Sequence, residues 1–138
     1  MRIADWRHPW LAEYPWPFLV EVNRRLCEAK HALHQQTSDG YSQAKTFWEQ
    51  RHPQVTGIFE AASLCREIHR MAPFCFYNGN TLVAIIRDAI RPVLEKLDAE
   101  YAYILRSSIG HYVAGTIHEE EIQAILQSLP NLPAEQAE

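Results

Sequence analysis

Small or apolar residues recur at Val83, Ile86, Ile90, Leu94, Leu97, Tyr101, Ile104 and Ser108, spaced three and four apart. That is the period of one helical face. The run predicts a single long helix over about 80–107, roughly 40 Å long at 1.5 Å per residue. Pro92 falls on the face opposite the stripe, where a missing amide kinks a helix without exposing its buried side.

Shorter runs flank this axis. Leu19, Val22, Leu26, Ala29 and Leu33 predict a first helix over 17–35, with Pro17 suited to its first turn. Tyr41, Ala44, Phe47 and Trp48 anchor a second over 41–51, opened by Ser38-Asp39-Gly40 and closed by His52-Pro53. Ile58, Ala61, Ala62, Cys65 and Ile68 mark a third over 55–71. Ile122, Ile125, Leu126 and Leu129 mark a last one over 117–129, with Thr116 to Glu119 as its capping box. The fold class is therefore all-α: one domain, a bundle of about five helices around the Pro-kinked long helix.

Residues 1–16 form an irregular Trp/Pro-rich arm packed on that domain, because prolines at this density prevent a regular helix. The helical domain covers 17–129, and 130–138 reads as a loose polar tail. Asn78-Gly79, between Phe74–Tyr77 and Leu82–Ile86, also fits a two-residue hairpin turn. Without a clean period of two on either side, a helix start is the better reading.

Charge and cysteine content narrow the class. The net charge is −4, and all 13 Lys and Arg lie within residues 1–106. Residues 107–138 carry five glutamates and no base. This balance argues against nucleic acid and anionic membrane as partners, since both need clustered positive charge. Asp5, Arg7 and His8 interrupt any leader-like apolar stretch, and no apolar run approaches 18 residues, so a cytoplasmic protein is expected. Cys27, Cys65 and Cys75 lack the Cys-x-x-Cys spacing of zinc or redox sites and read as reduced thiols.

Candidate chemistry is sparse. Glu28-x-x-His31 has the spacing of carboxylate-bridged di-iron bundles, which need the motif twice; here it occurs once, on a polar face. No metal or cofactor is expected, and no residue is assigned a catalytic role. His69 falls one turn after Cys65 on the apolar face of the third helix. A buried imidazole there needs a hydrogen-bond partner, and either completes the core or serves binding or proton transfer.

Asn80, Arg87, Arg91 and Asp98 line one edge of the long stripe. Arginines beside a core-facing stripe must pair, snorkel or hold an anion. With Asn80 as a cap and the first-turn amides beside it, Arg87 and Arg91 would clamp an anion that Tyr77 and His69 enclose. The segment Phe76-Tyr77-Asn78-Gly79-Asn80, between two helices, resembles the Phe-x-Asp/Glu-Gly-Asn part of the Fic-domain loop. Phe74 and Leu82 stand where that family has its His and Arg, and Asn78 replaces the acidic residue. The resemblance implies a loop-then-helix anion site without transferase activity.

Two functions follow as expectations. The first is a non-enzymatic interaction or regulatory module that self-associates as a homodimer or docks a protein partner. Its motive is surplus apolar surface, with Trp6, Trp10 and Trp16 as the interface and Leu82 to Ile86 apolar all round. The second is a binder of, or enzyme for, a small anionic ligand, using His69, Tyr77, Asn80, Arg87 and Arg91.

Overall fold

The computed structural model describes residues 1–133. Among these residues the fold is all-helical: a short 3-10 turn at Ile3–Asp5, then α1 (Trp16–Ala29), α2 (Gly40–Arg51), α3 (Ile58–Met71), α4 (Asn78–Ala89), α5 (Arg91–Leu94), α6 (Ala99–Ala114) and α7 (Glu119–Ser128). Helices α3, α4 and α6 pack mutually at the centre. α1 leans on α4, α2 on α3, and α7 on α6 and the N-terminal turn.

Where one long helix is expected, three follow one another in the chain, α4, α5 and α6. Pro92 has no amide to offer the Asp88 carbonyl, and the chain leaves helical geometry at Ile90 (φ −93°, ψ 11°). α5 lasts one turn, and Asp98, extended at ψ 155°, opens α6. The interruption turns α6 back against α4 and shifts its buried face by one residue. Leu105, Ile109, Tyr112 and Val113 are buried, whereas Tyr101 and Ile104, the expected stripe, are exposed. Sequence spacing missed the shift because residues 101–105 are apolar in both registers.

Other boundaries move for local reasons. α1 ends at Ala29 rather than near Gln35, because His31 takes a left-handed conformation (φ 57°). The Ala32 amide then bonds the Cys27 carbonyl at 2.8 Å and the His31 amide bonds Glu28 at 3.3 Å, a Schellman closure with His in the usual glycine position. Gly115 (φ 87°) closes α6 the same way, with Thr116 N–H bonding the His111 carbonyl at 2.9 Å. Thr116 therefore belongs to the end of α6. The cap of α7 falls two residues later, where Glu121 accepts from the His118 amide at 3.0 Å.

The hairpin does not form, and Asn78-Gly79 lies in the first turn of α4. Phe74 instead makes an isolated antiparallel bridge with Gln36. Gly40 lets α2 cross α3 closely, since a Cβ there would run into the Met71 and Ala72 carbonyls.

The N-terminal arm supplies core. Trp6, Trp10 and Trp16 are 7%, 3% and 2% exposed, so their indoles face the chain's own interior rather than an outer docking face. The Trp16 indole N–H donates to Tyr41 Oη at 3.0 Å, and that of Trp48 to the Tyr14 carbonyl at 2.8 Å. Within the expected tail, Leu132 is buried and exchanges backbone bonds with Met1 at 2.6 and 2.7 Å. Residues 134–138 of that tail lie outside the described residues.

The three cysteines are unpaired; Cys27 and Cys65 are buried and Cys75 is exposed. Burial pushes the Cys65 thiol far above its usual range, and the Cys27 thiol up as well. A thiol reagent at pH 8 should therefore titrate one cysteine in the native protein and three in urea. Cys75→Ser should abolish the native reaction.

Candidate functional site

The three central helices leave a cleft of about 990 Å3 between the start of α4, the end of α3 and the middle of α6. His69, Tyr77, Asn80, Arg87 and Arg91 all line it, together with Arg106, Ser107 and His111 from α6. The break after α5 is what brings this α6 face opposite Arg87. Asp98, expected on the same edge, instead precedes α6 and is not part of the cleft wall.

The floor is the first turn of α4. Its leading residue is Tyr77, not Asn80, and Tyr77 sits left-handed at φ 62°, ψ 33°. A bulky side chain is uncommon in that region and persists only where the surroundings hold it. Here they do. The Asn78 side chain clasps the Phe74 backbone, accepting from its amide at 2.9 Å and donating to its carbonyl at 2.7 Å. Thr81 Oγ1 donates to the Tyr77 carbonyl at 2.7 Å.

Behind the loop lies Asn23, fully buried on α1. Its amide nitrogen donates to the Phe76 carbonyl at 2.8 Å and to Thr81 Oγ1 at 3.1 Å. Its oxygen takes His34 Nδ1 at 2.9 Å and Cys27 Sγ at 3.6 Å. A polar residue one turn after Leu19 gives no sequence sign that it is interior.

His69 forms one wall. Its Nδ1 lies 2.9 Å from the Val113 carbonyl, which only accepts, so Nδ1 carries the proton and Nε2 of the neutral ring keeps a free lone pair. Nε2 packs on Gly79, at 3.3 Å from where a Cβ would stand. His111 follows the same logic: Thr116 Oγ1 donates to the His111 carbonyl at 3.0 Å and so accepts from Nδ1 at 2.9 Å.

The opposite wall is cationic. Arg87 Nε donates to the Arg106 carbonyl at 3.1 Å, which leaves both Nη groups uncommitted. Its guanidinium crosses Gly110, where a Cβ would meet Nη2 at 2.5 Å. Neither Arg87 nor Arg106 has a carboxylate within ion-pair distance among the described residues. Partial burial, with the Arg106 charge nearby, lowers the Arg87 pKa. Arg91 is exposed and only loosely paired, 3.7 Å from Asp88 and 3.9 Å from Glu95. Asp88 also accepts the Tyr14 hydroxyl at 2.5 Å, and burial, together with that bond, raises the Tyr14 pKa above its usual value.

No group of three or more His, Cys, Asp or Glu with metal-binding geometry occurs among the described residues. Comparison of the chain with family models, curated proteins and solved structures finds no match. The site is therefore argued from its own geometry.

Gly110→Ala should separate folding from the site. A mid-helix alanine gains up to about 1 kcal/mol over glycine, while its methyl evicts the Arg87 guanidinium from its seat. Urea denaturation is expected to show unchanged or higher stability, and cleft ligands are expected to bind at least 10-fold more weakly. Asn23→Leu keeps volume but removes the bonds to the Phe76 carbonyl, Thr81 Oγ1 and His34 Nδ1, at about 1–3 kcal/mol for an unmet group. The same denaturation assay should show a loss of about 2–4 kcal/mol.

Proposed function

We propose that this chain binds a small anionic molecule in the α3–α4–α6 cleft. One observation carries the reading: Arg87 and Arg106 both line a cleft of about 990 Å3, Arg87 Nε resting on the Arg106 carbonyl, with no carboxylate on either among the described residues. Elsewhere arginines are paired with carboxylates or, as for Arg2, Arg51 and Arg66, rest on Gln127, Phe47 and Tyr112. Arg24 holds Glu21 at 2.6 Å and Glu28 at 2.8 Å, and Arg25 holds Glu21 at 2.9 Å. The Arg24 and Arg25 hydrogen bonds bring the Glu21 carboxyl down to about 2. Arg7 and Arg70 pair with Glu60 and Glu67. In a chain of net charge −4, adjoining cations kept free of available carboxylates suit an incoming anion. The first-turn amides of α4 line the same space and add a field of the same sign.

Self-association is the second reading. Tyr101, Tyr103 and Ile104, at 37%, 72% and 36% exposure, give α6 an apolar outer face that favours it. Its original motive is met within the chain, since the three arm indoles and Leu82, Ile85 and Ile86 are all interior. No helix among the described residues is long and apolar enough to cross a membrane, and unpaired cysteines suit a reducing compartment such as the cytoplasm.

Calorimetric titration of the full chain with phosphate, pyrophosphate and citrate tests the leading reading. At least one anion should bind in the millimolar range or tighter. Arg87→Ala should weaken it by about 10-fold or more, the worth of a charged hydrogen bond; Arg24→Ala should leave it unchanged. Binding that ignores Arg87, or none at all, defeats the proposal. Light scattering that returns a dimer, abolished by Tyr103→Glu, would favour the second reading.

A further inference from the structure

We infer that the anion is a phosphomonoester on an organic body, its phosphate held between Arg87 and Arg106. This rests on the anion-binding reading above and narrows it. The charged residues on the cleft wall are Arg87, Arg91, Arg106 and Asp88. Asp88 is spent on Arg91 and the Tyr14 hydroxyl, which leaves the two positive charges of Arg87 and Arg106 unbalanced. A carboxylate neutralises one of them. A phosphomonoester carries about −1.5 to −2 at pH 7 and answers both.

The placement of the two charges separates a phosphate from a dicarboxylate. Arg87 Nε donates to the Arg106 backbone carbonyl, both residues line the cleft, and the Arg106 charge acts on Arg87, which sets the two charges near each other rather than at the two ends of the cleft. One tetrahedral group can answer both charges at once. Two of its oxygens can take the free Nη fork of Arg87, and the third remains for Arg106.

The remaining space argues for the body. Clefts of 300–1,000 Å3 are the size that holds organic ligands, and a bare phosphate fills a small part of about 990 Å3. Leu26, Val83, Ala84, Leu94 and Ala114 line the rest, with the Tyr77 ring beside them. These surfaces offer an ion nothing. They suit an apolar or aromatic moiety attached to it.

The test uses three probes on the full chain by calorimetry: 2-naphthyl phosphate, 2-naphthoate and inorganic phosphate. The first should bind at least 10-fold tighter than either of the others. Arg106→Ala, checked for folding by circular dichroism, should cost 2-naphthyl phosphate 10-fold or more and 2-naphthoate less than about 3-fold. Equal or tighter binding of 2-naphthoate overturns the phosphate assignment and leaves an anion site standing. Inorganic phosphate binding as tightly as the ester overturns the organic body. If no probe binds, and phosphate, pyrophosphate and citrate also fail, the anion-binding reading falls with the inference.

Discussion

The site depends on one buried amide. Asn23 is the point where α1 meets the loop that precedes α4, and both ends of its side chain are used. The nitrogen fixes the Phe76 carbonyl and the Thr81 hydroxyl; the oxygen answers His34. A buried amide with fewer partners would be costly, so the arrangement tolerates few alternatives. The result is a loop held in a conformation that Tyr77 would not choose alone (φ 62°). Without that left-handed residue, α4 would enter along another line, and its first turn would not face His69.

The cationic wall is held differently, by close approach instead of a hydrogen-bond network. Gly110 has no side chain, so the Arg87 guanidinium lies flat across α6 and reaches the Arg106 carbonyl. This fixes a long side chain through Nε while its forked end stays free. An arginine that is ordered before binding loses less rotamer entropy when a ligand arrives. Partial burial, and then the Arg106 charge nearby, lower the Arg87 pKa. On the proposed reading, an anionic ligand would offset that charge.

Helix content and the members of the candidate site were more legible than the path between them. His69, Tyr77, Asn80, Arg87 and Arg91 line one cleft because α4 presents its polar edge as a continuous helix should, and α3 ends beside its first turn. Arg106, Ser107 and His111 were illegible for a single reason. An unbroken helix through Pro92 would carry them about 40 Å or more from Asn80 at 1.5 Å per residue. The break at 95–98 folds them back instead. Asn23 was missed because polarity marks surface in most helices, and its burial appears only once α1 meets the loop. The tryptophans, read as interface or core, are core: a domain this small gains much by burying every indole it has.

The setting of the cleft bears on what it selects. The chain as a whole is acidic, with five glutamates among residues 107–138, so its far field repels polyanions. Salt screens exposed charges beyond about 10 Å at ordinary ionic strength, and within that distance a small ligand in the cleft meets chiefly Arg87 and Arg106. A long polyanion samples both fields and gains little net attraction; a compact dianion samples only the local one. On the proposed reading, the same two arginines would favour small phosphorylated molecules over nucleic acid, and the discrimination would come from where the charges lie rather than from how many there are.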